Sequence, residues 1–244
     1  MTLSIHSKSP LAIATLLISG ILLAGCSTTG TSDDQAAPSE SASASASTPA
    51  PSESATPVAE GPCKPSTAAG STAKDVGAPN DVLPAKTYTF TLQTNCGEIV
   101  IEADGVKAPI TVSTLAFLAK GKYFDGTICH RLTTQGLFVL QCGDPTGTGG
   151  GGPNFTFKDE NLPAQADNNY PAGSVAMANS GPNTNGSQFF LVYDNTTLGA
   201  NYTLWGKITQ GLDIVKSIAA YGTADGSGDG APKSTVEIIN ATVK

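Results

Sequence analysis

Apolar and polar residues alternate through Tyr88-Thr89-Phe90-Thr91-Leu92-Gln93, the two-residue period of a strand with one buried face. Asn95-Cys96-Gly97 supplies a turn, and Ile99-Val100-Ile101 carries a second strand back. The period then changes. Val112, Leu115, Ala116 and Ala119 recur at i, i+3, i+4 and i+7, the apolar stripe of a helix. Ala108-Pro109 opens that helix, proline being tolerated in a first turn, and Gly121 ends it. Further apolar runs predict strands over 128–132, 138–142, 189–193, 204–208 and 236–243, and a second short helix over 212–220. Many short strands with only two helices predict a mainly β fold, a closed or nearly closed antiparallel barrel with helical caps.

The amino-terminal part of the chain follows a different pattern. Lys8 precedes an apolar run over 11–23, too short for a stable membrane span and suited to the core of a secretory signal. It ends in Leu23-Ala24-Gly25-Cys26, which resembles a bacterial lipobox, so residues 1–25 are expected to be cleaved and Cys26 to carry the lipid anchor. Several acyl chains on one residue hold firmly where a single chain is marginal. Residues 26–62 collapse to Ser, Ala, Thr, Pro and a few acids, too poor in apolar surface to offset the entropy of ordering. A flexible coil of roughly 36 residues reaches about 30–35 Å, a tether between membrane and domain. Residues 63–85 read as a lead-in whose order the pattern leaves open, and 86–244 as one domain. The expected location is extracytoplasmic, lipid-anchored to the bacterial cell membrane.

Charge and the scarce reactive residues narrow the chemistry. A formal net charge of −7 without a basic stripe argues against nucleic acid. With Cys26 assigned to lipid, Cys63, Cys96, Cys129 and Cys142 remain, an even set that in an exported protein favours disulfides in one of three pairings. Cys129–Cys142 is preferred, because these residues flank an apparent hairpin; Cys63–Cys96 then pins the lead-in to the first hairpin. Free thiols and a thiolate metal site are the alternatives, but no C-x-x-C pair exists, and neither metal nor cofactor is expected. Beyond the signal the chain has a single histidine, His130, set between Cys129 and Arg131 in a predicted strand and read as structural. A serine hydrolase would need it, yet no G-x-S-x-G elbow is present. Residues 147–152, GTGGGG, satisfy a dinucleotide fingerprint by letter, but lack the required flanking strand and helix and read as a flexible glycine loop.

Two stretches carry a resemblance. "CHRLTTQGLFVLQCGDPTGTGG" sets Arg131 and Gln141 on adjoining strands, and "MANSGPNTNGSQFFLV" adds Asn179, Gln188 and Phe190. Together they resemble the cyclophilin family of peptidyl-prolyl isomerases, over about 88–244. The resemblance implies an eight-stranded cyclophilin-like barrel capped by two α-helices. It implies that Arg131 is the catalytic donor aimed at the prolyl nitrogen. Phe138, Val139, Phe190 and Leu198 would form the proline pocket, with Tyr202 at its edge. Gln141, Ala178 and the backbone of Asn179 would hold the peptide main chain, with Gln188 in support. Phe189, facing the other way by strand alternation, reads as core, as does Trp205.

The implied chemistry is rotation about a peptide bond, resisted by a barrier of about 18–20 kcal/mol. It needs no nucleophile and no base, only an apolar seat for the ring and a donor that favours the twisted amide over either planar form. Arginine, always charged and planar, suits that task. Three departures from the family pattern stand out. The turn between Arg131 and Phe138 is two residues longer, the pocket methionine falls on Val139, and the pocket histidine and rim tryptophan fall on Tyr202 and Thr197. Weak cyclosporin binding is expected from the lost tryptophan. The expected partners are proline-containing polypeptides, the expected state a monomer. The competing reading is a tethered proline-peptide binding module with little turnover; retention of Arg131 favours the enzyme.

Overall fold

The alternating run and the apolar run after its turn fold as expected into a hairpin, β1 (Thr87–Thr94) and β2 (Gly97–Asp104), paired antiparallel along their whole length from Thr87↔Asp104 to Thr94↔Gly97. This computed structural model describes residues 61–72 and 74–244; the expected signal, Cys26 and nearly all of the expected linker lie outside the described residues. The helical stripe forms α1 (Pro109–Lys120). Its first turn has no side-chain cap of its own. The Glu160 carboxylate instead accepts from the backbone N–H groups of Ile110 and Thr111 at 3.1 and 2.8 Å, an anion at the positive end of the helix.

The remaining elements are β3 (Thr127–Ile128), β4 (Arg131–Thr133), β5 (Val139–Cys142), β6 (Ser174–Met177), β7 (Phe189–Val192), β8 (Leu204–Gln210), α2 (Leu212–Tyr221), β9 (Asp229–Gly230) and β10 (Glu237–Val243). All strands lie in one antiparallel sheet of ten, in the order β3-β10-β1-β2-β8-β6-β7-β5-β4-β9. The expectation of eight strands closed edge to edge is therefore corrected. The strand expected over 128–132 is interrupted at Cys129-His130 and divides into β3, which pairs with β10, and β4, which pairs with β5. The two-residue β9 then adds to β4.

This interruption dictates the curl of the sheet. In a flat sheet β3 and β4 would stand eight spacings apart, about 38 Å at roughly 4.8 Å per strand. The chain from Ile128 to Arg131 can span only about 11 Å. The sheet must wrap round to bring them together, and the link between its ends is covalent, with no hydrogen-bonded pairing of β3 to β9. β6 was not foreseen. It lies between β7 and β8 in the middle of the sheet, and all four of its residues are buried, so it shows no alternation.

The two faces of the sheet bury different sets. Leu132, Leu140, Leu191 and Val175 are successive cross-strand partners, and they point into the main core with Phe90, Ile101, Leu115 and Phe124. Phe189 meets Phe124 and Trp205 edge-on, with ring centroids at 5.8 and 5.9 Å, so both Phe189 and Trp205 belong to this core. Two disulfides close the framework, Cys63–Cys96 and Cys129–Cys142. The lead-in lies along the domain. The Lys64 N–H donates to the carbonyl of Asn95 and the Ser71 N–H to that of Pro145. The Lys74 ammonium sits on the carbonyls of Lys122, Tyr123 and Asp125, at 3.1, 2.8 and 3.2 Å.

Candidate active site

Shifting one residue along each strand turns from the core face to the other face. Arg131 pairs with Gln141, Gln141 with Phe190, and Phe190 with Ala176, a row across β4, β5, β7 and β6. Cross-strand partners share a face, so the cation, the amide and the aromatic ring line up at strand spacing, with the Cα atoms of Arg131 and Phe190 about 10 Å apart. Val139, two residues before Gln141, stands on the same face.

The polar half of this face is a directed series of hydrogen bonds. Arg131 can only donate, and its Nη1 does so to Gln141 Oε1 at 3.3 Å. Gln141 Nε2 donates to Gln188 Oε1 at 2.8 Å, and Gln188 Nε2 donates to the carbonyls of Gly149 and Gly151 at 2.9 and 2.8 Å. Those glycines belong to the stretch expected to be flexible, and that expectation is corrected. The loop is folded around the buried Asp144 carboxylate. Its Oδ2 accepts from the N–H groups of Thr148, Gly149 and Gly151, and its Oδ1 from the N–H and hydroxyl of Thr146. Burial pushes the Asp144 carboxyl up, but the Thr146 hydroxyl and the backbone donors outweigh it and hold the group below the ordinary range. Two of these positions require glycine: Gly149 has φ +83°, and a Cβ on Gly151 would stand 2.0 Å from Asp144 Oδ1.

The other edge of the guanidinium is occupied as well. Arg131 Nε and Nη2 each donate to one carboxylate oxygen of Asp229 at 2.7 Å, a bidentate pair. Hydrogen bonding to Asp229 raises the already high pKa of Arg131 and lowers that of Asp229.

The apolar half is a separate buried cluster of Val139, Tyr170, Ala176, Phe190 and Val192, with Ala178, Leu198, Tyr202 and Leu204 packed on it. The Phe190 ring meets Tyr202 edge-on at 5.6 Å and lies 6.1 Å from Tyr170. The Tyr170 hydroxyl donates toward the carbonyls of Tyr202 and Gly199 and accepts from the Tyr202 N–H at 3.0 Å, tying down the segment that carries Leu198 and Tyr202. Asn169 clamps Leu198 by both its N–H and its carbonyl. Beside Gln141 a cleft of about 250 Å³ is lined by Gly151, Phe155, Ala178, Asn179, Thr184 and Gln188. The Asn179 side chain is spent on Asn201 and Gly181.

Comparison with known proteins decides what this constellation is. The family model for cyclophilin type peptidyl-prolyl cis-trans isomerases matches residues 89–243. The chain belongs to the cyclophilin family. It is 42% identical over 163 residues to a Mycobacterium tuberculosis protein named "probable peptidyl-prolyl cis-trans isomerase B", an alignment that takes in 62% of this chain and 53% of that one. The chain thus spans about half the length of the first relatives it matches. To peptidyl-prolyl cis-trans isomerase A of the same organism it is 38% identical over 179 residues, covering 66% of this chain and 94% of the relative. Among solved structures, the cyclophilin type isomerase of Cryptosporidium parvum superposes with a TM-score of 0.57 at 27% identity, covering 65% of this chain and 98% of that one. A second structure of that protein was solved in the presence of the dipeptide Ala-Pro.

Within this cyclophilin the structure brings Arg131, Val139, Gln141, Ala178, Gln188, Phe190, Leu198 and Tyr202 together on one face, with Asn179 at the cleft. Phe138, expected beside Phe190, is the exception: it packs on the main core and not in the Phe190 cluster. It stands just before β5, and its ring packs edge-on to Tyr193 at 5.9 Å, against the main core. Thr197, at the expected tryptophan position, is exposed, and its hydroxyl accepts from the Asn168 N–H. His130 stands at the break between β3 and β4 with neither ring nitrogen hydrogen-bonded; burial lowers its pKa. Sequence reasoning missed Asp229, Asp144, Asn169 and Tyr170. Only Asp144 carried a signal, an acid directly before a glycine-rich run that needs an acceptor for its backbone donors.

Proposed function

We propose that this cyclophilin accelerates cis–trans exchange of X-Pro peptide bonds in exported proteins, with Arg131 as the donor. The observation that carries the reading is the row Arg131–Gln141–Phe190, which sets a fixed cation at the rim of an apolar seat. Planar amide conjugation gives the 18–20 kcal/mol barrier, about, and twisting returns a lone pair to the prolyl nitrogen. A guanidinium N–H directed there favours the twisted state over both planar isomers, which is what lowers a barrier. Phe190, Val139, Leu198 and Tyr202 seat the proline ring. Gln141, Ala178 and the Asn179 backbone take the extended main chain, and Gln188 holds Gln141.

The same reading places the domain outside the cytoplasmic membrane on a tether anchored at Cys26, acting as a monomer on folding or mature clients, and binding cyclosporin weakly because Thr197 offers no indole. Exchange NMR on an Ala-Pro peptide tests the activity. Wild type is expected to speed exchange, and Arg131→Ala to lose most of that rate while still binding peptide. Binding by both proteins with acceleration by neither would make this a tethered proline-binding module.

A further inference from the structure

We propose that Asp229 is a positioning residue for Arg131, fixing which edge of the guanidinium faces the substrate; this rests on the isomerase reading above. A half-exposed arginine has several rotatable bonds, and one hydrogen bond to Gln141 at 3.3 Å leaves it free to swing. Asp229 removes that freedom by taking Nε and Nη2 together at 2.7 Å. With one edge on Asp229 and Nη1 on Gln141, the N–H groups left over are at the end of the guanidinium, on Nη1 and Nη2. That end is the part presented to a peptide.

The placement of Asp229 is built into the backbone. In β9 it pairs with Thr133, two residues from Arg131 on β4, so both side chains stand diagonally on one face. The hairpin that delivers it is internally tied. Asp225 accepts from the Ser227 N–H, the one Ser227 hydroxyl proton is shared between the Asp225 carboxylate and the Asp229 carbonyl, and the Thr134 N–H donates to the Gly228 carbonyl. A Cβ on Gly228 would stand 2.7 Å from Gln135, so the hairpin lies flat against the long turn after β4. The extended turn and the β9 hairpin thus fit each other, and together they hold the carboxylate.

The test uses the purified protein and the Ala-Pro exchange assay on wild type, Asp229→Ala, Asp229→Asn, Asp229→Glu and Arg131→Ala, with the Arg131 Nε–H followed by NMR. Asp229→Ala is expected to lower kcat about three- to fivefold, the size an exposed bidentate pair reaches. KM should stay within about twofold, because the apolar seat that binds the ring is untouched. The Arg131 Nε–H signal should lose its protection from water in the same variant. Asp229→Glu, which keeps the carboxylate, is expected to recover both rate and signal; Asp229→Asn, the same size, keeps the test valid should the alanine variant fold poorly. An unchanged or faster rate in Asp229→Ala and Asp229→Asn, with Arg131→Ala still inactive, overturns the proposal and leaves the isomerase reading standing. A slower rate with the Arg131 signal intact also overturns it. If wild type itself fails to accelerate exchange, the isomerase reading falls first and this proposal with it.

Discussion

Replacing Tyr170 by phenylalanine removes one oxygen from the floor of the site and leaves every ring contact in place. Tyr170 is fully buried, and its hydroxyl ties the Phe190 cluster to the backbone at Gly199 and Tyr202. The donated proton is shared between two carbonyls, at 3.3 and 3.1 Å, while the accepted bond from the Tyr202 N–H is 3.0 Å. Losing them strands a partly buried N–H, which costs about 1–3 kcal/mol. No cavity beyond an oxygen atom is created, so a loss toward the lower half of that range is expected. Urea unfolding at neutral pH should show it as a lower midpoint at constant slope. Because Leu198 and Tyr202 ride on the freed segment, KM for the Ala-Pro peptide should rise more than kcat falls.

The same hydroxyl has a pH signature. Burial pushes the pKa of Tyr170 up to about 12, and that of Tyr193 likewise to about 12, against roughly 10 in an unfolded chain. The unfolded state therefore loses these protons first. Their contribution is complete below pH 10 and drains away as the pH climbs toward 12, at up to about 1.4 kcal/mol per pH unit for each group. Tyr170→Phe should flatten that decline by one group. A variant that unfolds at the wild-type midpoint, binds peptide with the wild-type KM and keeps the full alkaline decline would refute the argument.

Three more outcomes follow from the site and its frame. Replacing Cys129 and Cys142 together by serine opens a loop whose ends are 13 residues apart and should cost about 3 kcal/mol. In a domain of this size that is a fall of about 6–12 °C in Tm, abolished as a difference when wild type is assayed in strong reductant. Asp144→Asn removes one oxygen acceptor from the glycine loop and should lower stability by about 2 kcal/mol at pH 7. Since the Asp144 carboxyl titrates below the ordinary range, its contribution is present above about pH 4 and lost as the pH falls, so the two proteins should converge in acid unfolding. Gln188→Glu should destabilise more than Gln188→Ala, by about 1 kcal/mol or more, because it sets a carboxylate against the carbonyls of Gly149 and Gly151; the reverse order would mean that the amide is turned the other way.

Much of the fold was legible because each element announced its own period. β1 was readable from alternation and α1 from helical spacing, with β2 and α2 from apolar runs beside turn signals; the Cys129–Cys142 disulfide was readable from the hairpin it flanks, and Cys63–Cys96 as the pair then left over. The motif residues were legible through the resemblance of two stretches to the cyclophilin family, and the structure shows Arg131, Gln141 and Phe190 to be cross-strand neighbours on one face; strand alternation was enough to separate Phe190 from Phe189. β6 was hidden because a strand buried on both faces has no alternation to read.

What the chain did not disclose is what holds the motif still. Asp229 reaches Arg131 across 98 positions, Tyr170 reaches Tyr202 across 32, and Gln188 reaches Gly151 across 37. None of these contacts has a local period, because each is made by loops whose approach is set only when the sheet has curled. For this chemistry those contacts matter more than a reactive group would. A catalyst that neither attacks nor abstracts has only orientation to offer, and a charged donor on a long side chain has little of it unaided. Here every bond from Arg131 inward runs from donor to acceptor: to Gln141, to Gln188, to the glycine carbonyls, whose own loop ends on Asp144. A series that begins on a cation and ends on backbone carbonyls leaves each of the two glutamine amides one favourable orientation, since reversing either sets acceptor against acceptor. With Asp229 gripping the opposite edge, the guanidinium is held between a carboxylate on one side and the Gln141 amide oxygen on the other.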